Sequence, residues 1–186
     1  LFEGEASTPV LTVEEAKARN LTVLPEYSFG RGDLARSFSE AQRRFDGHIR
    51  IGGQEHFYLE GQVALAIPGE DGDMHLHSST QHPSEVQHCV AHVLGVPSAQ
   101  VTVEVRRMGG GFGGKESQAN QWACLAAIAA WKTGRPCKIR LDRDDDMVMT
   151  GKRHDDVADF QVAYDPSGKI LATEMHFMAR CGYSAD

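Results

Sequence analysis

The chain has 186 residues, 41% hydrophobic and 24% charged, a composition that can bury a core and is not that of a disordered segment. Its formal net charge of −7 argues against sequence-independent binding to DNA or RNA, which requires Lys and Arg to neutralise phosphates, so any basic site must be local. The longest strongly apolar run, 123–131, is too short to cross a bilayer, and no basic stretch followed by an apolar one opens the chain, so no membrane partner and a cytoplasmic location are expected.

Thr12 followed by Glu15 forms a capping box that predicts a short helix over 12–20. A second short helix is expected over 33–42. From 44 to 66, Ile49, Ile51, Phe57, Leu59, Val63 and Leu65 alternate with period 2 and predict strand, interrupted by a bulge or bend at Gly52-Gly53. The turn 68–73 and the strand 74–79 complete a hairpin. Over 84–94 the positions Val86, Cys89, Val90, Val93 and Leu94 recur at helical spacing, and Gly95 with Pro97 ends that helix. Strand alternation returns over 101–106.

Residues 117–133 are apolar on most sides and predict a buried helix stopped by Gly134 and Pro136. Strands are expected over 137–141, 157–164 and 170–179, the last two joined by the turn Asp165-Pro-Ser-Gly168. Hairpins mixed with crossovers imply an α+β fold, a mixed or antiparallel sheet with packed helices, rather than a regular βαβ repeat. Cys89, Cys124, Cys137 and Cys181 are widely spaced without a C-x-x-C pair, which reads as reduced thiols in a reducing compartment. The start at Leu1 and the stop just after a strand-like run suggest a piece of a longer polypeptide.

Between the 101–106 strand and the 117–133 helix, Gly109-Gly-Gly-Phe-Gly-Gly114 places five glycines in six residues. Glycine gives up the most conformational entropy on folding, so this density implies a close approach to the backbone or φ values that side chains resist. A loop leading to a helix N-terminus also offers free N–H groups to an anion, here a phosphate. By spacing alone, Gly109-x-Gly111-x-x-Gly114 satisfies the dinucleotide fingerprint, although the acidic residue expected about 20 positions on is answered only loosely by Asp142. The same residues nearly spell a P-loop, with Lys115 in place but Glu116 where a Ser or Thr would hold magnesium. A third reading is a non-catalytic assembly domain in which the loop packs a helix tightly on a sheet.

Arg107-Met-Gly-Gly-Gly-Phe-Gly-Gly-Lys-Glu116 closely resembles the molybdopterin-binding signature of the xanthine dehydrogenase and aldehyde oxidase family. Gly52-Gly-Gln-Glu-His-Phe-Tyr-Leu-Glu60 is similar to the family's upstream cofactor segment, and Ser79-Thr-Gln81 lies between the two. The likeness continues through Leu94-Gly-Val-Pro97, Thr133-Gly-Arg-Pro136, Leu141-Asp-Arg143 and Thr150-Gly-Lys-Arg-His154, so it covers most of the chain. It implies a molybdenum-cofactor-binding-domain-like fold, with 1–43 as a connecting segment of short helices and 44–186 as the first, incomplete part of the molybdopterin-binding domain.

The resemblance also implies roles. The family's molybdenum domain hydroxylates a carbon next to nitrogen or oxygen with water as the oxygen source, and no side chain is a permanent ligand of the metal. Gln54 resembles the glutamine beside the metal's oxo group, where its amide can donate. Gly111, Phe112 and Gly113 resemble the loop that approaches the molybdenum centre. Glu116 resembles the active-site glutamate that bonds the purine in xanthine dehydrogenases. Implied partners are a purine substrate, the rest of the molybdenum subunit, which holds the general base and a substrate arginine, and domains or subunits carrying [2Fe-2S] clusters and FAD. The 186 residues by themselves are therefore expected to be inactive.

From the residues alone, Gln54 reads as satisfying backbone near a bend, Glu116 as a carboxylate favoured by a helix dipole, and Phe112 as a core plug. His88 and His92, at i, i+4, can bind zinc but read as a solvated or partly buried pair. His75 and His77 share the outer face of a strand. Residues 142–146 read as a helix-capping acidic turn rather than a calcium loop.

Overall fold

The computed structural model describes residues 8–181. In chain order the elements are α1 (Val13–Ala18), α2 (Leu34–Glu40), β1 (Arg43–Ile51), β2 (Val63–Pro68), β3 (Met74–Ser78), α3 (Pro83–Leu94), β4 (Val101–Glu104), α4 (Gln118–Thr133), β5 (Cys137–Arg140), α5 (Arg143–Met149), β6 (Asp155–Tyr164) and β7 (Ile170–Arg180). The described residues gather into two compact units, 8–54 with 154–181 and 55–153. These are units of packing, whereas the expected division at 43/44 concerns domain membership.

The first unit is an antiparallel sheet in the order β1-β6-β7, with α1 and α2 against β7. Thr12 accepts the Glu15 N–H at 3.1 Å and starts α1, while the Glu15 carboxylate pairs with Arg19. Asp33 caps α2 through the Arg36 N–H. Arg180 fastens this sheet, bonding Asp155 and the Leu11 carbonyl, each at 2.6 Å.

The second unit is a four-stranded sheet, β4-β3-β2-β5, in which only β3 and β4 are parallel. Helices α3 and α4 cover one face and form the core with it. That face is built from small side chains. Ala64 and Ala66 of β2 meet Ala123, Ala126, Ala127 and Ala130 of α4, so helix and sheet backbones approach closely, with Met74, Leu76, Val86, Val90 and Val101 filling the remainder. Gly95 and Gly134 end α3 and α4 in the left-handed conformation, at φ 71° and 63°.

The period-2 reading of β2 placed Val63 and Leu65 in line with the core, but the buried positions are Ala64 and Ala66. The alanine face of α4 needs small partners, and the larger residues take the other side of the sheet. Nor does the strand run through Phe57 and Leu59, which are 66% and 92% exposed. Tyr58 and Gln62 are buried instead, drawn in by a polar network described below. Val93, expected on the buried face of α3, is exposed, and Ala91 is buried in its place.

The topology also removes the dinucleotide reading. A dinucleotide fold places the strand before its glycine turn within a parallel sheet, whereas β4 is the edge of a largely antiparallel one.

The alanine interface gives a direct expectation. Ala127→Leu adds volume where there is none, because Ala127 is fully buried between α4 and its neighbours. Urea unfolding should show a loss of about 1–3 kcal/mol.

Candidate functional site

The glycine loop runs from the end of β4 to α4, but α4 begins only at Gln118, so the glycines do not sit at the helix N-terminus itself. Their density answers contacts made by this chain. A Cβ on Gly109 would come within 2.5 Å of the Glu60 Cβ, on Gly111 within 2.5 Å of the Gln81 Oε1, and on Gly114 within 2.7 Å of both His56 and Tyr58. Gly110 and Gly113 have φ of 94° and 89°, values that favour glycine for a second reason.

Two of the loop's N–H groups, and that of Lys115 just after it, find their acceptors in the same neighbours. Gly109 N–H donates to Glu60 Oε2 at 2.9 Å, and Gln81 Oε1 accepts from Gly113 N–H at 3.0 Å and Lys115 N–H at 3.2 Å. The anion expected at the loop is thus supplied, at least at Gly109, by the Glu60 carboxylate.

Lys115 is turned into the fold and is fully buried. Its ammonium donates to the Glu60 carbonyl at 2.6 Å and the Ser79 hydroxyl at 2.7 Å, lies 3.4 Å from Glu60 Oε2, and sits 4.6 Å from the centre of the Tyr58 ring. Burial pulls its pKa down, and the Glu60 charge opposes that. A lysine committed in this way cannot reach a nucleotide phosphate, which disposes of the P-loop reading. Ser79 Oγ also donates to Glu60 Oε2 at 2.6 Å. Burial alone would raise the Glu60 carboxyl, but hydrogen bonds from Gly109 and Ser79 and the Lys115 charge outweigh it and hold it below the ordinary glutamate value of 4.5.

A second hub supports the first. Asp146, fully buried, accepts from the Tyr58 hydroxyl at 2.5 Å and the Gln62 N–H at 2.6 Å. Gln62 then donates its side-chain amide to Tyr58 and to the Gly114 carbonyl, both at 3.0 Å. Burial and the bond to Asp146 push the Tyr58 hydroxyl up to about 12, so it remains a donor. Asp142 caps α5 through the Asp145 N–H, as expected of an acidic turn, and that helix delivers Asp146. Arg143 donates to the Tyr58 and Leu59 carbonyls, fixing the segment that carries Glu60.

What this bracing leaves outward is the crest of the loop. Phe112 is 74% exposed, with φ of 53°, so it is not a core plug. A bulky residue seldom holds such a φ without a reason. Glu116 is exposed one residue beyond the buried lysine, and Gly113 is half-buried. Four of the residues singled out from sequence, Gly111, Phe112, Gly113 and Glu116, therefore share one braced loop. Gln54 is exposed and closes the first stretch of the other unit. Sequence reasoning missed Glu60, Lys115 and Asp146 as the residues that fix the loop. Glu60 and Lys115 stood inside the matched segments, but nothing in the spacing announced that they pair.

The chain belongs to the molybdopterin cofactor-binding domain family, whose pattern it matches over residues 13–186. Among curated proteins it is similar to the xanthine dehydrogenase/oxidase of Gallus gallus, 43% identical over 183 residues, covering 98% of this chain and 14% of the relative. The Mus musculus xanthine dehydrogenase/oxidase is 44% identical over 178 residues, covering 95% of this chain and 13% of that protein. This chain thus spans about 14% of the length of the curated relatives it matches. In three dimensions it is similar to the aldehyde oxidoreductase of Desulfovibrio gigas, with a TM-score of 0.72 and 29% identity over 80% of this chain and 16% of that one. Quinoline 2-oxidoreductase from Pseudomonas putida 86 gives a TM-score of 0.70 and 26% identity over 79% of this chain and 19% of that one.

The residues present fit such a group. A metal already held by an organic ligand needs backbone and neutral donors, not a cage of side chains. Among the described residues the only cluster of three potential metal ligands, His75, His77 and Glu104, lies on β3 and β4 and not at the crest of the loop. The crest offers peptide groups, an aromatic ring and one carboxylate.

The lowered Glu60 value sets a pH dependence. A carboxylate whose folded-state pKa is depressed stabilises the fold fully above its ordinary value and loses that contribution as pH falls through the folded-state value. The stability difference between wild type and Glu60→Gln, from urea unfolding, should be largest near about pH 6 and shrink below 4.5. A difference independent of pH would mean that the Glu60 charge does not hold the loop.

Proposed function

We propose that this chain belongs to the molybdenum subunit of a hydroxylase that oxidises purines, taking hypoxanthine and xanthine to urate with water as oxygen donor. The observation that carries the reading is the outward crest of the braced loop, where Phe112 and Glu116 are exposed beside a lysine withdrawn from it. The family membership and the xanthine dehydrogenase relatives support the substrate class.

When bound, the molybdenum cofactor supplies the centre that accepts an electron pair from the substrate carbon. The loop of Gly111, Phe112 and Gly113 would meet it from one side through the exposed Phe112 and the half-buried Gly113, while Gly111 is buried. Gln54 would donate its side-chain amide to the bound group, a role available to a neutral donor at any working pH. Glu116 would orient the purine by accepting a ring N–H, a charge-assisted bond. Because Lys115 is fastened to Glu60 and Ser79, the Glu116 carboxylate is left free of that neighbouring ammonium.

The general base and the substrate arginine would come from the rest of the molybdenum subunit, and electrons would leave through partner domains or subunits with [2Fe-2S] clusters and FAD. The 186 residues alone would be inactive. A cytoplasmic setting accords with four free cysteines, and no helix among the described residues is long and apolar enough to cross a membrane.

The test is Glu116→Gln in the full-length protein. Loss of a charged hydrogen bond of about 1.5–3 kcal/mol should cut kcat/KM for xanthine by roughly 10- to 150-fold, with the molybdenum content per protein unchanged. If the molybdenum content collapses instead, Glu116 shapes the loop and does not hold substrate.

A further inference from the structure

The four-stranded sheet has a second face, opposite α3 and α4. There β3 and β4 run parallel, with His75 beside Thr102 and His77 beside Glu104. The side chains of His75, His77 and Glu104 point to one spot and are 40%, 33% and 37% exposed. His75 Nε2 lies 3.3 Å and His77 Nδ1 lies 3.6 Å from Glu104 Oε2, and the two imidazole centroids are 4.7 Å apart. The three ligand atoms all fall within 4.8 Å of one another.

A tetrahedral ion with bonds of about 2.0–2.1 Å requires ligand atoms roughly 3.3 Å apart. The two edges that run to Glu104 are already close to that spacing, and the two histidine nitrogens lie within 4.8 Å of each other. The carboxylate is prepared in another respect. Its Oε1 accepts from Arg106 Nε at 2.8 Å, leaving Oε2 toward the histidines, as ligating carboxylates are commonly held by an outer partner. Two imidazole nitrogens with one carboxylate oxygen favour a late first-row ion over calcium or magnesium, which take oxygen ligands.

We infer that His75, His77 and Glu104 form a site for a divalent transition-metal ion, zinc by class, with a fourth position left for water. The ion would staple the edge strand β4 to β3. Those strands lead directly into the two segments that meet at the crest, β4 into the glycine loop and β3 into Ser79 and Gln81, which brace it. The site is separate from the molybdopterin loop and does not depend on the purine reading.

The experiment uses the full-length protein, stripped with a chelator under conditions that leave its molybdenum content intact, and titrated with Co(II) and then Zn(II). The expected result is a visible-region band of four-coordinate cobalt at one ion per chain, displaced by zinc. The double variant His75→Phe/His77→Phe should lose the band, and Glu104→Gln should weaken binding by roughly 10-fold or more. His88→Gln/His92→Gln should leave both unchanged. The inference is overturned if wild type takes up no more cobalt than the double variant, or if the His88/His92 variant abolishes the band. Should the double variant fail to fold by circular dichroism, Glu104→Gln decides, and unchanged affinity there overturns it.

Discussion

The second unit depends on one buried ammonium. Lys115 leaves solvent completely, a change that is costly unless the charge is paired and its protons are used. The Glu60 carbonyl, the Ser79 hydroxyl and the Glu60 carboxylate meet that demand, and in doing so they join three separated stretches of chain. Glu60 also receives Gly109 at the start of the glycine loop, and Gln81 receives Gly113 and Lys115 at its end. The loop is thus pinned at both ends from beneath, and its crest has nowhere to relax inward.

A layer away, Asp146 does for the tyrosine and glutamine what Glu60 does for the lysine. It holds Tyr58 and Gln62, and these in turn contact the lysine through the tyrosine ring and the loop through the Gly114 carbonyl. Even Gly61 follows from this, since a Cβ there would come within 2.9 Å of Asp146 Oδ2. Two buried charges of opposite sign, each with its hydrogen bonds met, fix a loop whose glycines would otherwise be loose. That rigidity is what a site needs if it is to bind through peptide groups rather than strong side-chain ligands.

Much of this was legible in the sequence because it is local. Thr12 and Asp142 cap helices where their spacing placed them, the helix expected over 33–42 forms with Asp33 as its cap, and Gly95 and Gly134 end helices for the reason glycine usually does. The quoted glycine segment led to the family that the chain joins. What escaped was non-local. The alternation at Phe57 and Leu59 pointed to a strand, but Asp146, more than eighty residues on, draws Tyr58 inward and turns those neighbours out. The choice of Ala64 over Val63 in the core likewise depends on the face of α4. Lys115 and the N–H groups of Gly109 and Gly113, which read as phosphate binders, bind Glu60, Ser79 and Gln81 instead, which no spacing rule reveals.

Held by Glu60 and Ser79, Lys115 braces the loop from behind and is not free to touch a cofactor. A crystal structure of the full-length protein with molybdopterin bound tests this most directly. The cofactor should lie against the crest at Phe112 and Gly113, with the Lys115 ammonium still bonded to Glu60 and Ser79. An ammonium swung outward onto a phosphate or oxo group of the cofactor would contradict it.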